Sequence, residues 1–292
     1  MNINPWLLRS GGGLALAALT AFTSLNTLAA PPVPDEYKVS GFAIGCQAYT
    51  FNRFTVFEAI EKTAAAGGKV IEFYPGQKLS KEEPNVKWDH DASDEVIAKV
   101  QAKLAQHKMK AVNYGVVGIP NDEAGARKVF DFAKKLGLIG VTTESTESID
   151  LIDKLVKEYD IRVGYHNHPH QPNNPNYKVW DPWYILSLVK DKDPRIGACA
   201  DVGHWCTSGL NPAYCLRVLK GRVMSSHLKD KNVFGEGHDV PYGTGVANIK
   251  ECLDELKKQG FAGNISIEYE YHWDNSVPEV TQCIDFVKAY GK

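Results

Sequence analysis

The segment IGACADVGHW, residues 196–205, has the pattern that decides the fold: a short apolar run ending in a polar residue able to bind a metal, here an aspartate. The same pattern occurs earlier, in IGVTTE at 139–144 and VGYHNH at 163–168, and later, in VMSSHLKD at 223–230 and ISIEYE at 265–270. If these runs are successive parallel strands, their last residues converge at one mouth of a barrel. A ring of carboxylates and imidazoles at that mouth can hold a divalent metal ion, so the pattern predicts an enzyme.

From residue 42 onward, β-type runs alternate with longer stretches whose apolar residues recur at three-to-four spacing. This alternation predicts an α/β fold, a (β/α)8 TIM barrel, and the length matches the roughly 250 residues typical of it. An open doubly wound sheet is the alternative, but no Gly-x-Gly-x-x-Gly follows the first run. The predicted strands are residues 42–49, 69–73, 110–114, 140–143, 161–166, 196–201, 223–228 and 264–269. The predicted helices include residues 56–67, 94–107, 123–137, 148–160, 181–191, 248–260 and 277–290.

The N-terminus has the features of a secretory signal peptide. Arg9 precedes an apolar stretch at residues 14–23, and small residues follow it up to Ala29 and Ala30, where we expect cleavage. A membrane anchor is the competing interpretation, but the stretch is shorter than the roughly 20 residues a spanning helix needs. We therefore predict a signal peptide at 1–30, an extension at 31–41 and a single barrel domain at 42–292. The mature protein would be exported, periplasmic or secreted, with no membrane segment.

Charge and cysteine content narrow the function further. The chain has 33 Lys and Arg against 35 Asp and Glu, which argues against a nucleic-acid partner and favours a small-molecule ligand. The six cysteines include no Cys-x-x-Cys, so a thiolate zinc site is not expected. In an oxidising compartment Cys206 could pair with Cys215, or Cys252 with Cys283; buried free thiols are the alternative.

Three candidate site residues end the last three predicted strands: Asp201, His227 and Glu268. Such positions in a barrel are typical of catalytic residues, and an unpaired charge there would otherwise be costly to bury. Each also has a structural explanation: a helix cap for Asp201, a core histidine for His227, and an ion pair with Lys229 for Glu268. The three together favour a functional site.

The chain resembles the xylose-isomerase-like barrels, a family that includes sugar isomerases, sugar epimerases, inosose dehydratases and endonuclease IV. The resemblance extends over nearly the whole region after the signal peptide. Its motifs are IEFYPG at 71–76, ADVGHW at 200–205, HLKDKN at 227–232, VPYGTGVANI at 240–249 and ISIEYEY at 265–271. These motifs are specific to the superfamily and much less specific to one reaction.

The resemblance implies one divalent metal ion (Mn, Mg, Zn or Co) held by Asp201, His227 and Glu268. Many relatives carry Glu-Asn-His at the end of strand five and use that Glu as the fourth ligand, whereas this chain has His-Asn-His at 166–168. Either Glu144, at the end of strand four, or His166 could complete the set. Because a hard divalent ion favours carboxylates, we expect Glu144 as the ligand and His166 as an acid/base or substrate contact.

Other strand-end residues are candidates for substrate binding. Glu72, Asn113, His168 and His204 could bind sugar hydroxyls, and Lys229 could neutralise the charge that develops on an enolate. The expected catalytic group is therefore Glu268, His166, Glu144 and Lys229.

This set of residues favours proton abstraction next to a carbonyl, in a sugar isomerase, epimerase or lyase. Export and the lack of a phosphate-binding loop favour an unphosphorylated sugar, and relatives that act on 3-keto-glycosides extend the choice to such substrates. The alternatives are a noncatalytic sugar-binding barrel and an endonuclease IV-type phosphodiesterase. Analogy with relatives also suggests a homo-oligomer.

Overall fold

The computed structural model describes residues 33–292, in which eight parallel strands close into a barrel. Neighbours in sequence are neighbours in the barrel, and the last strand pairs with the first, with Ala43 opposite Asn264. This confirms the predicted TIM barrel. The predicted signal peptide lies outside the described residues. The strands are β1 Ala43–Gln47, β2 Val70–Phe73, β3 Lys110–Tyr114, β4 Gly140–Thr143, β5 Arg162–His166, β6 Ile196–Asp201, β7 Val223–Leu228 and β8 Asn264–Ile267.

Two strands end earlier than predicted. β1 stops at Gln47 because its side chain accepts a hydrogen bond from the Tyr49 backbone and begins a 3₁₀ helix at Ala48–Phe51. β8 stops at Ile267, so Glu268 lies one residue beyond the strand, at the mouth of the barrel.

The helices surround the barrel and contribute to its core, and none among residues 33–292 has the length and apolar character needed to cross a bilayer. Two short helices were not predicted from the sequence, because one contains a glycine and both are too short for a clear periodicity. Asp201 caps the first of them, accepting a hydrogen bond from the His204 backbone at 2.8 Å. The helices are α1 Val56–Ala65, α2 Asp94–Gln106, α3 Glu123–Leu136, α4 Ile149–Tyr159, α5 Pro182–Val189, α6 Val202–Thr207, α7 Pro212–Val218, α8 Ile249–Lys258 and α9 Val277–Tyr290.

Two antiparallel ribbons follow strands on the site face: Gln77–Lys78 with Lys87–Trp88, and Asp230–Lys231 with Asp239–Val240. The loop after the second ribbon folds back because the buried Asp230 carboxylate accepts backbone hydrogen bonds at 2.9–3.0 Å from three residues of that loop. One of these is Gly245, where a Cβ would lie 2.4 Å from an Asp230 oxygen. The VPYGTGVANI motif therefore fixes a loop at the mouth.

All six cysteines are free thiols with buried side chains. Neither of the two disulfides considered from the sequence is formed, and the cysteines contribute to packing instead. The pKa of Cys206 and of Cys215 is raised to about 12 by burial, which keeps these thiols protonated and unreactive.

Candidate metal centre

Four side chains from adjacent strands meet at the C-terminal mouth of the barrel. His166 and Asp201 are the last residues of β5 and β6, His227 lies near the end of β7, and Glu268 follows β8. All four are buried, and one possible ligand atom from each lies within 4.8 Å of the others. Three of these residues, Asp201, His227 and Glu268, belong to the predicted metal set. The fourth is His166, whereas the sequence analysis preferred Glu144.

The spacing of these atoms suits a metal ion. His227 Nδ1 is 3.1 Å from Glu268 Oε2 and 3.9 Å from Asp201 Oδ2, and His166 Nε2 is 3.6 Å from the same Asp201 oxygen. Metal–ligand bonds of about 2.0–2.2 Å place neighbouring ligand atoms about 3–4 Å apart. Neither ring nitrogen of His166 has a hydrogen-bond partner among the described residues, although the ring is fully buried. Two imidazoles and two carboxylates form a donor set for a divalent cation of the Mn, Zn or Co type.

Lys229 lies beside this cluster and is buried. Its ammonium is 3.2 Å from Asp201 Oδ2 and 2.9 Å from Glu268 Oε2, and it also contacts the Glu270 carboxylate. Burial alone would lower the pKa of Lys229, but the surrounding carboxylates raise it well above its usual value. Burial would raise the pKa of Glu268, but the Lys229 ammonium holds it below its ordinary range. The sequence did not single out Glu270, whose carboxylate completes this ion-pair network.

Glu72 lies beneath His227 and does not reach the open mouth. Its carboxylate has no exposed surface and accepts hydrogen bonds from Ser266 Oγ at 2.7 Å, Thr142 Oγ1 at 3.2 Å and Asn264 Nδ2 at 3.3 Å. One oxygen is also 3.1 Å from His227 Nε2, on the opposite side of the ring from Glu268, as an ion-pair contact without hydrogen-bond alignment. This position differs from the sugar contact expected for Glu72, because the side chain is enclosed by barrel residues. It suits a carboxylate that orients the imidazole of a ligand histidine.

Asn113 also lies inside the barrel. It is 2% exposed, and its amide donates a hydrogen bond to Ser225 Oγ at 3.3 Å. Asn113 lies on β3, between Glu72 of β2 and Gly140 of β4, and its side chain is enclosed inside the barrel. This position does not agree with the expected contact with a sugar hydroxyl.

Glu144 belongs to a neighbouring group. Its Oε1 is 2.6 Å from His168 Nδ1 and accepts a hydrogen bond of 2.7 Å from the Tyr177 hydroxyl, which in turn accepts one from the His168 backbone. Glu144 has ligand atoms within reach of His166 and His168 but is not a member of the four-residue cluster. Burial would raise its pKa, but the contact with His168 lowers it. Tyr177 lies in a long loop with no periodicity, so no sequence signal pointed to it.

A cavity of about 290 Å³ opens next to the cluster. Three predicted residues, His168, His204 and Glu268, line it, so the expected substrate positions of the two histidines agree with the structure. His204 Nε2 is also 3.3 Å from the Lys229 ammonium. The remaining lining residues were not predicted, and most come from loops after β1, β2 and β3: Gln47, Tyr49, Tyr74, Pro75, Gly115, Val116 and Glu270.

Comparison with known proteins supports this architecture. A crystal structure of an uncharacterised protein from Parabacteroides distasonis is 30% identical, with a TM-score of 0.68 over 84% of this chain and 98% of that chain. A D-tagatose 3-epimerase-like protein is 18% identical, with a TM-score of 0.65 over 85% and 96%, and shows the fold alone. An L-ribulose-5-phosphate 3-epimerase of Salmonella typhi is 26% identical over 171 residues, 58% of this chain and 52% of the relative.

The chain spans about half the length of the curated relatives it matches, which include an uncharacterised protein of Methanocaldococcus jannaschii, 33% identical over 48% of this chain and 45% of that protein. A family model has a longer match, covering residues 60–290, and its description is xylose isomerase-like TIM barrel. The chain belongs to this family of xylose isomerase-like TIM barrels.

Proposed function

We propose that this protein is a divalent-metal-dependent sugar epimerase or isomerase that removes a proton from a carbon next to a carbonyl. The observation that carries the proposal is the buried cluster of His166, Asp201, His227 and Glu268 beside an open cavity. We assign the fourth ligand position to His166 rather than to Glu144. The reason is that the His166 ring nitrogens have no hydrogen-bond partner among residues 33–292, whereas the Glu144 carboxylate is already bonded to His168 and Tyr177.

When bound, a divalent ion at this cluster would polarise the carbonyl of a sugar and acidify the adjacent C–H. Glu268 is the proposed base, because its side chain lines the cavity and its lowered pKa keeps it ionised. His227 and Lys229 both hold its Oε2 atom, at 3.1 and 2.9 Å, so Oε1 can be directed at the substrate. Lys229, predicted to neutralise an enolate, does not line the cavity; its ammonium holds the Asp201 and Glu268 carboxylates in place instead.

Two acid–base groups, Glu268 and His168, line the cavity. Glu268 follows β8, while His168 follows β5 and is hydrogen bonded to Glu144 at the end of β4. β6 and β7 separate β5 from β8 in the closed barrel, so the two groups reach the cavity from different points of its rim. Inversion at a carbon needs one group to remove the proton and another to return it to the opposite face. We therefore favour epimerisation; isomerisation and elimination from a 3-keto-glycoside share its first step.

The charge of the cavity supports an unphosphorylated substrate. Its acidic lining residues are Glu268 and Glu270, and no Lys or Arg of the described chain is among the lining residues. Lys229, behind them, is already matched by three carboxylates. Burial would lower the pKa of the lining His168, but Glu144, 2.6 Å away, raises it and balances its charge. A phosphate group normally requires Arg, Lys or free backbone N–H groups, and here it would meet like charge. Export to the periplasm or medium, which we also propose, agrees with a neutral sugar.

Hydrogen exchange tests this function. Metal-loaded protein is incubated in deuterated water with keto sugars, among them fructose, tagatose and 3-keto-glucose, and followed by NMR. We expect deuterium at one carbon next to the ketone, with Glu268→Gln slowing the exchange by about 10²–10⁴-fold. Binding of these sugars without any exchange would instead indicate a noncatalytic sugar-binding barrel and refute the proposal.

A further inference from the structure

A second cavity adjoins the one at the metal cluster. It has a volume of about 450 Å³, against about 290 Å³ for the inner cavity, and the two share the side chain of Tyr74. The next residue, Pro75, lines the inner cavity, and Gly76 lines the outer one, so the two cavities adjoin along residues 74–76. Other residues of the outer cavity include Asn52, Arg53, Phe54, Lys78, Lys81 and Pro84.

The border between the two cavities is aromatic. The Tyr49 ring packs edge-on against Tyr74, with centroids 5.2 Å apart, and against Trp273 at 6.0 Å. Tyr49 is 39% exposed, which is high for an aromatic side chain held in such a cluster. Aromatic surface at the rim of a polar pocket suits the apolar C–H face of a sugar ring, because the ring can stack there while its hydroxyls stay hydrogen bonded.

The two cavities differ in the hydrogen-bonding groups they present. The inner one offers acceptors, the carboxylates of Glu268 and Glu270. The charged residues that line the outer one are cations, and they supply donors. Arg53 is 2.7 Å from Asp274 and Lys81 is 2.7 Å from Glu58, and both cations are largely exposed. Lys78 forms no ion pair with any other residue of 33–292. Donors beside apolar surface from Tyr74 form a site for hydroxyl oxygens rather than for a metal.

We propose that the outer cavity binds a second sugar unit, so that the substrate is a glycoside rather than a free monosaccharide; this inference rests on the function proposed above. The inner cavity lies at the lower end of the roughly 300–1,000 Å³ typical of small-molecule pockets. A single ring bound at the cluster would fill it, and a substituent on that ring would extend past Tyr74 toward Arg53.

Binding measurements test this subsite without relying on turnover. The probes are 3-keto-glucose and the 3-keto derivatives of lactose, sucrose and trehalose, with dissociation constants measured by calorimetry. At least one disaccharide should bind tenfold or more tightly than 3-keto-glucose. Arg53→Ala should remove about tenfold of that advantage, since a hydrogen bond from a charged donor is lost. Arg217→Ala is the matched control, because Arg217 is also an exposed, ion-paired arginine (43% against 52% for Arg53) and lines neither cavity.

The inference is overturned if none of the three disaccharides binds more tightly than 3-keto-glucose, or if Arg53→Ala weakens all the probes equally. Deuterium exchange on the same samples separates this outcome from failure of the proposed function. Preferential binding of a disaccharide without exchange would support the second sugar site and refute the proposed epimerase activity. Exchange on 3-keto-glucose with no preference for disaccharides would support the proposed activity and refute the second sugar site.

Discussion

Replacement of His166 by Leu is expected to weaken divalent-metal binding by more than about 100-fold. Loss of a residue that only orients a ligand typically costs 10–100-fold in metal affinity, so loss of a ligand itself should exceed that range. The imidazole is buried and 3.6 Å from Asp201 Oδ2, so the leucine fills most of its volume but offers no donor atom. The matched variant, Glu144→Gln, should change the affinity by less than about 10-fold, because Glu144 lies outside the four-residue cluster.

The assay is calorimetric titration of metal-free protein with Mn²⁺ and Co²⁺, supported by elemental analysis of metal per chain. His166→Glu serves as a rescue, because a carboxylate at this position restores a ligand and should recover binding. Thermal unfolding of each variant checks that the barrel remains intact. If Glu144→Gln lost the ion and His166→Leu kept it, the assignment would be wrong and the carboxylate preferred on sequence grounds would be the ligand.

Two further predictions concern residues next to the site and remote from it. Glu72→Gln should weaken metal binding by about 10–100-fold while leaving sugar contacts unchanged, because Glu72 orients His227 from beneath; calorimetry with Mn²⁺ measures it. Asp193→Asn should lower the free energy of unfolding by about 2 kcal/mol at pH 7, since Asp193 accepts several hydrogen bonds from Arg195. The Arg195 side chain lowers the pKa of Asp193, so this stability is present above about pH 4 and is lost as the pH falls through the lowered pKa. Urea unfolding at pH 7 and pH 3 checks it, and Asp191→Asn, an exposed neighbour, should change neither value.

The sequence was sufficient to predict the barrel and the centre of the site, because both follow from local patterns. Apolar runs separated by amphipathic helices specify parallel strands, and closure then brings the strand ends together. Asp201, His227 and Glu268 were therefore placed at one mouth without knowledge of any tertiary contact.

The features of the site that the sequence did not predict depend on how deeply a side chain lies inside the barrel and on the course of the loops. Glu72 lies one residue before the end of β2, and it is enclosed by Ser266 and Asn264 of β8, the strand beyond β1, which depends on strand register. Tyr49 reaches the cavity from a 3₁₀ helix of four residues and Tyr74 from the loop after β2, and both segments are too short to show a periodicity. The preference for Glu144 rested on ligand chemistry alone, and the hydrogen bonds that engage its carboxylate are formed only in the folded protein.

The balance of buried charge connects these observations. The site contains four carboxylates: those of Glu72, Asp201 and Glu268 are buried, and that of Glu270 is partly buried. The Lys229 ammonium forms ion pairs with three of them, Asp201, Glu268 and Glu270. Burial would lower the pKa of His227, but Cys199, Glu72 and Glu268 raise it well above its ordinary value, so this ring adds a second positive charge. Burying uncompensated carboxylates is costly, and two positive charges do not offset four carboxylates. A divalent cation between Asp201 and Glu268 would bring the site near neutrality and leave Lys229 paired with Glu270. A glutamate at position 166 would add another negative charge beside Asp201, whereas the neutral imidazole supplies a ligand without one. The histidine at the end of β5 is thus consistent with the presence of Glu270. Since His166→Glu adds a negative charge near the ion and Glu270→Gln removes one, the double variant should bind Mn²⁺ about as tightly as the unsubstituted protein in the same calorimetric titration.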